Sequence, residues 1–302
     1  MDTYNTSPPH VKSVKNLHWW KTVSWQYVVF QRLASKLVMR FTRSTCPRLK
    51  NWQICTFIDK YNVNMQEILV EDYRDYKHFN DFFTRRLKAN ARPLDSHPTG
   101  IISPADGQVS QFGPINNHTL IQAKEKYFTA QALLGDAPNN VHTAFKSGYF
   151  TTIYLAPKNY HRVHMPITGT LKSMRFIPGS LFSVSTNTAL HIDQLFARNE
   201  RLVCFFDTEL GSMAIVMVGA MLVSSMSTRW AGVVGSKTGK IENVEYSDSE
   251  HPIILEKGEE LGYFNMGSTV IILMGETLPH LNWHMDIKEN SDIQMGQLLA
   301  HV

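Results

Sequence analysis

Tyr149-Phe150-Thr151-Thr152-Ile153-Tyr154-Leu155 is a short apolar run of aromatic and β-branched side chains, closed by Ala156-Pro157-Lys158-Asn159. That length, composition and punctuation predict a buried strand. The same texture recurs at Leu171–Ile177, Leu202–Phe206, Met213–Val223 and Val270–Met274, each bounded by Gly, Pro, Asn or Asp. From Gly107 onward the chain therefore reads as β-rich. Upstream the pattern changes to helix. Leu17 to Arg43 holds neither Gly nor Pro. On a helical wheel Trp19, Val23, Tyr27, Phe30, Leu33, Ala34, Leu37 and Phe41 share one face, opposite Lys21, Arg32, Lys36, Arg40 and Arg43. A second helical stretch is expected over about 54–69 and a short Phe-rich helix over 75–86, before turns at Arg92-Pro93-Leu94-Asp95 and Ser103-Pro104-Ala105-Asp106-Gly107. The expected class is α+β: N-terminal amphipathic helices over residues 1–100, then a β-rich, sandwich-like domain over 101–302.

Charge divides the same way. Residues 1–58 carry nine Lys and Arg against the single acid Asp2, together with four of the six tryptophans, while the rest of the chain has 21 basic and 25 acidic residues. A basic, aromatic end on a mildly acidic body points to a membrane surface or a polyanion, and the body's lack of a basic excess disfavours a nucleic-acid enzyme. The longest charge-free run in the first helix, Thr22–Gln31, is ten residues, short of the roughly 20 that span a bilayer. Gln26 interrupts its apolar core and no small-residue cleavage site follows, so it does not read as a signal peptide. A helix packed on the core with a solvated basic face, and a helix lying in the membrane interface, both fit this pattern. Cys46, Cys55 and Cys204 form no CxxC pair and no disulfide framework, which points to a reducing compartment.

Three places in the body carry chemistry. Tyr160-His161-Arg162-Val163-His164-Met165-Pro166 holds two histidines three apart, open to a metal, a structural or an acid–base reading; no HExxH and no carboxylate at ligand spacing accompanies them. Asp106 sits in a Pro-Ala-Asp-Gly turn, where it can be structural or orient a histidine. Met266-Gly267-Ser268-Thr269 precedes an apolar strand and can be a simple turn; it is not GxSxG. With no Cβ on Gly267, the Ser268 hydroxyl could also attack the preceding carbonyl.

With these blocks, Asn80-Asp81-Phe82-Phe83, Pro178-Gly179-Ser180-Leu181-Phe182-Ser183-Val184 and Asn199-Glu200-Arg201 complete an ordered set spanning nearly the whole chain. The set resembles the bacterial-type phosphatidylserine decarboxylase proenzymes. One departure is Met266, where the family usually has Leu. The resemblance implies a precursor that cuts itself between Gly267 and Ser268 into a β chain, 1–267, and an α chain, 268–302. His164, oriented by Asp106, would be the base toward Ser268, and Ser268 would become a covalent pyruvoyl group that forms a Schiff base with the substrate amine. His161 would transfer a proton in the decarboxylation of phosphatidylserine to phosphatidylethanolamine and carbon dioxide. No metal and no dissociable cofactor are implied. The implied setting is the cytoplasmic face of the cell membrane, with phosphatidylserine in anionic membranes as partner and a heterodimer of α and β chains that further dimerises. Two alternatives remain: a pyruvoyl decarboxylase of a free amino acid, and a non-enzymatic interfacial lipid-binding protein whose Ser268 stays intact.

Overall fold

The expected strand at Tyr149–Leu155 spans those same residues in the computed structural model, which describes residues 31–302 apart from 125, 136–142, 221–224, 236–238, 248–249, 266–267 and 279. The strands that build the site are β1 (Gly107–Pro114), β2 (Tyr149–Leu155), β3 (Arg162–His164), β4 (Gly169–Ile177), β5 (Arg201–Thr208), β6 (Gly211–Gly219), β7 (Met226–Thr228), β8 (Glu260–Phe264) and β9 (Ser268–Met274). A nine-stranded antiparallel sheet runs Glu242–Glu245, β4, β5, β6, β9, β2, β1, Asp292–Ile293, with Ile254–Leu255 also on β4. A four-stranded sheet runs Gly232–Val234, β7, β8, β3.

Both faces of the large sheet are covered, so its central strand reads as continuous apolar sequence rather than as alternation. Every residue of β9 is buried. Val270, Ile272 and Met274 join one core cluster, shared with Val163, Met226, Leu261 and Phe264 of the small sheet. Ile271 and Leu273 join the opposite cluster with Phe128, Phe145 and Phe196. The small sheet thus lies over one face of the large one.

Among the described residues three α-helices precede the strands: α1 (Gln31–Thr42), α2 (Pro47–Tyr61) and α3 (Phe79–Phe83). Residues 17–30 of the expected first helix lie outside the described residues, as does the 221–223 end of the expected Met213–Val223 strand. The second helix begins earlier than its apolar pattern suggests, because Pro47 occupies a first-turn position where its missing N–H costs nothing. It stops at Asn62, which adopts the left-handed conformation (φ 49°) and returns its amide to the Ile58 carbonyl. The Phe-rich helix is shorter than expected: His78 Nδ1 accepts the Asp81 amide at its start, and the Thr84 hydroxyl takes the Asn80 carbonyl at its end. Phe79, Phe82 and Phe83 pack edge-on against Phe57 of α2. Among the described residues no helix is long and apolar enough to cross a membrane.

Candidate active site

The chain changes sheets at one corner. β2 leads into β3, β6 into β7 and β8 into β9, and the crossing ends meet where Ser268 pairs with Leu155 on one side and Gly219 on the other. The Phe264 amide donates to the His161 carbonyl at 3.1 Å, closing the corner. Strand alternation puts Ser268 on the side of Val270 and Ile272, under the small sheet. Its side chain is fully buried, and Oγ finds no hydrogen-bond partner among the described residues. A buried hydroxyl left unpaired costs about 1–3 kcal/mol, so its presence asks for a reason. Met266 and Gly267 lie outside the described residues.

His161 enters the corner in the turn between β2 and β3. Its Nδ1 lies 2.8 Å from the Asn159 carbonyl, which can only accept, so Nδ1 carries the hydrogen and Nε2 keeps a lone pair. Nε2 is buried and has no partner among the described residues. The ring lies against Phe83, centroids 4.1 Å apart, which fixes its plane. Burial, reinforced by the charge of Arg85, pushes its pKa down to about 3, so His161 is neutral at physiological pH.

His164 is engaged on both sides. Nδ1 donates to the Gly258 carbonyl at 2.8 Å, and Nε2 accepts from the Tyr160 phenol at 3.1 Å. Burial again lowers its pKa, and it raises that of the Tyr160 phenol, which stays protonated as donor. Asp106 is a backbone neighbour, since the His164 amide donates to Pro104 at 2.8 Å. Its carboxylate, however, is committed elsewhere. Arg92 reaches it with Nε at 2.9 and 3.1 Å and Nη2 at 2.6 Å, and the Met295 amide donates at 2.9 Å. The structure therefore brings Asp106 beside His164 without a hydrogen bond between them. Gly107 follows because β1 runs close to β2: a Cβ there would sit 2.4 Å from the Tyr154 carbonyl oxygen.

Residues not singled out for chemistry brace this corner. Asn265, three before Ser268, donates to Ser225 Oγ at 2.8 Å and accepts from Asn80 Nδ2 of α3 at 3.0 Å. Asn199 donates to the carbonyls of Phe182 and Gly219, holding the partner of Ser268. The Asn80-Asp81-Phe82-Phe83 and Asn199-Glu200-Arg201 blocks carried a sequence signal for these positions, without showing what they hold. Beside the corner opens a polar cleft of about 340 Å³, lined by Arg85, Arg92, Asp106, Lys158, Asn159 and Tyr160 among others.

Comparison with known proteins gives one consistent result. The family model described as phosphatidylserine decarboxylase matches residues 79–301, and one described as PSD matches 22–62. A phosphatidylserine decarboxylase proenzyme of Pseudomonas putida (strain GB-1) is 49% identical over 276 residues, covering 91% of this chain and 95% of its own. The proenzyme of Ectopseudomonas mendocina (strain ymp) is 48% identical over 277 residues, covering 91% and 96%. That of Bordetella petrii is 46% identical over 276 residues, covering 91% and 95%.

Proposed function

Because the chain belongs to the phosphatidylserine decarboxylase family, we propose that the corner holding Ser268 and His161 is where it first cuts itself and then decarboxylates its lipid. The activity is decarboxylation of phosphatidylserine. The observation that carries the site reading is the pair of buried, unpartnered polar atoms, Ser268 Oγ and His161 Nε2, on chain segments tied by the Phe264–His161 hydrogen bond.

In self-cleavage the Ser268 hydroxyl attacks the Gly267 carbonyl. The peptide bond gives way to an ester, and β-elimination then frees the 1–267 carboxylate and leaves dehydroalanine. Hydrolysis of that residue releases ammonia and gives the pyruvoyl group. His164 is the base for the first step, kept neutral by burial and therefore proton-accepting at physiological pH. Tyr160 must yield Nε2 before that transfer, and Asp106, held by Arg92, acts on the imidazolium as a nearby charge. A pyruvoyl group suits this position: residue 268 heads a strand paired on both sides, and its side chain is buried with no hydrogen bond to any described residue. When present, the group supplies a carbonyl that takes up the electron pair as carbon dioxide leaves. His161, with Nε2 unpartnered among the described residues, is the group that handles the proton at the α-carbon. Phe83 and the Asn159 carbonyl hold the ring for that transfer.

The family is lipid-metabolising, consistent with peripheral association at a membrane. The finer reading is a cytoplasmic-face interface built by the basic N-terminal helices. Leu37 and Phe41 of α1 are 62% and 47% exposed and Trp52 of α2 is 60% exposed, near Arg40, Arg43 and Arg48. Intact mass tests the central reading. Wild-type protein should give two chains divided before residue 268, the smaller one blocked at its first residue and trapped by borohydride with phosphatidylserine. Ser268→Ala should stay whole and inactive. An active, uncut wild-type polypeptide would sink it.

A further inference from the structure

Among the described residues Arg85 forms no ion pair. It follows α3, is 5% exposed, and lies over the Phe82 ring with its carbon 5.3 Å from the centroid. Nη2 donates to the carbonyls of Lys158 at 2.9 Å and Asn159 at 3.2 Å. Nε and Nη1 are buried and have no partner among the described residues. Its neighbours are satisfied: Arg92 by Asp106 and Glu67, Arg162 by Glu260. Arg201, equally buried, shows what a structural arginine looks like here, with Nε, Nη1 and Nη2 all on backbone carbonyls. Arg85 thus keeps the N–H groups of Nε and Nη1 uncommitted, on separate edges of a guanidinium that enters no ion pair among the described residues, and a charged donor in that state suits an oxyanion.

Its position says which oxyanion. The Asn159 carbonyl that receives Arg85 also receives His161 Nδ1, so the guanidinium and the reactive-corner imidazole are neighbours across one oxygen. Arg85 also lines the polar cleft beside the corner, where Glu67 and Asp106 are already neutralised by Arg92. The substrate brings two anionic groups, a carboxylate and a phosphodiester separated from the amine by two carbons and an ester oxygen. Charge stabilisation at the carboxylate would hold the ground state and oppose its departure. The phosphodiester keeps its charge throughout, so binding it costs the reaction nothing. We infer that Arg85 is the headgroup anchor, its charge and its uncommitted N–H donors holding the phosphodiester of the lipid that enters through this cleft. The inference rests on the corner being the site of decarboxylation.

The test uses the full chain with Arg85→Gln and Arg85→Lys, and reads self-cleavage on a denaturing gel before any kinetics. Both variants should be cut. Loss of hydrogen bonds to a charged group predicts a KM for phosphatidylserine in mixed micelles raised about tenfold or more in Arg85→Gln, with kcat falling far less. Inhibition by phosphatidylethanolamine, which keeps the phosphodiester and lacks the carboxylate, should weaken by the same factor. Inhibition by O-acyl serine, which has the carboxylate and no phosphate, should not change. Arg85→Lys should recover part of the loss. Unchanged KM and product inhibition in a cut Arg85→Gln enzyme would overturn the inference. So would weakened O-acyl serine inhibition with phosphatidylethanolamine unaffected, which assigns the carboxylate instead. Uncut chains in both variants would assign Arg85 to folding or self-cleavage, also against it. A wild-type enzyme without a blocked 268 terminus would count against the site reading and leave the anchor measurements standing.

Discussion

Asn265→Ala should loosen the corner by an amount that can be worked out beforehand. The side chain accepts from Asn80 Nδ2 and donates to Ser225 Oγ, and all three residues are buried. Truncation strands one donor on Asn80 and one acceptor on Ser225. At about 1–3 kcal/mol for each stranded group, the loss is roughly 2–6 kcal/mol. Asn80→Ala strands only Asn265 Oδ1, so about 1–3 kcal/mol is expected. The double variant should cost less than the two singles together by at least about 1 kcal/mol, because their shared bond is lost once. The measurement is urea unfolding in a Ser268→Ala background, where the chain is whole and the midpoint refers to one polypeptide. In the cleavable background Asn265→Ala should also slow self-cleavage, since it frees the segment that presents residue 268. If all three variants stay within about 0.5 kcal/mol of the parent, the Asn80–Asn265 contact does not hold the corner and the reasoning fails.

Acid should weaken the uncut Ser268→Ala chain through its buried histidines. His161 and His164 bind protons less well folded than unfolded, so stability is full above about pH 6.5 and falls as pH drops toward His161's folded value of about 3. The slope is roughly 1 kcal/mol per pH unit per histidine, and adding His161→Gln should flatten it; parallel curves with and without that change would refute the assignment. Tyr160→Phe frees His164 Nε2 and should cleave at least as fast as wild type in a timed gel assay, whereas a block would make the phenol a proton relay. Arg92→Leu leaves the Asp106 carboxylate buried with only the Met295 amide, and should cost about 3–5 kcal/mol, partly recovered by adding Asp106→Asn. Unchanged urea midpoints would show that the pair contributes nothing.

Runs such as Tyr149–Leu155 and Val270–Met274 were legible because strands covered on both faces favour apolar and β-branched side chains without strict alternation. β9 nevertheless starts at Ser268 rather than Val270, since pairing with Leu155 and Gly219 captures Ser268, and pairing with Tyr154 and Val218 captures Thr269, ahead of the apolar run. Helix ends were less visible: Asn62 stops α2 by adopting a left-handed conformation, while the hydrophobic pattern itself continues toward Leu69. Asp106, His161, His164 and Ser268 could be picked out by residue type and motif, but their hydrogen-bond allegiances could not. Arg92 and Asp106 are distant in sequence, and their close pairing exists only once the chain is folded. Arg85 was invisible because Arg85-Arg86 reads as an ordinary solvated pair, and only burial against Phe82 separates it from its neighbour.

The place of β9 has a thermodynamic consequence. A cut before Ser268 assigns the seven residues of the strand to the small fragment, while β2 and β6 on either side belong to the large one. The small fragment also supplies Leu298–His301, paired with Gly100–Ile102. Neither piece can close the large sheet alone. Folding before the cut is a search by one molecule, independent of concentration; afterwards the same architecture is an association between two. Dilution then opposes recovery from denaturation, and the melting midpoint of the cleaved protein should rise with its concentration while that of Ser268→Ala does not. On the proposed cut, the whole chain would reach its fold by rearranging one molecule, whereas the divided form would regain it only by mass action.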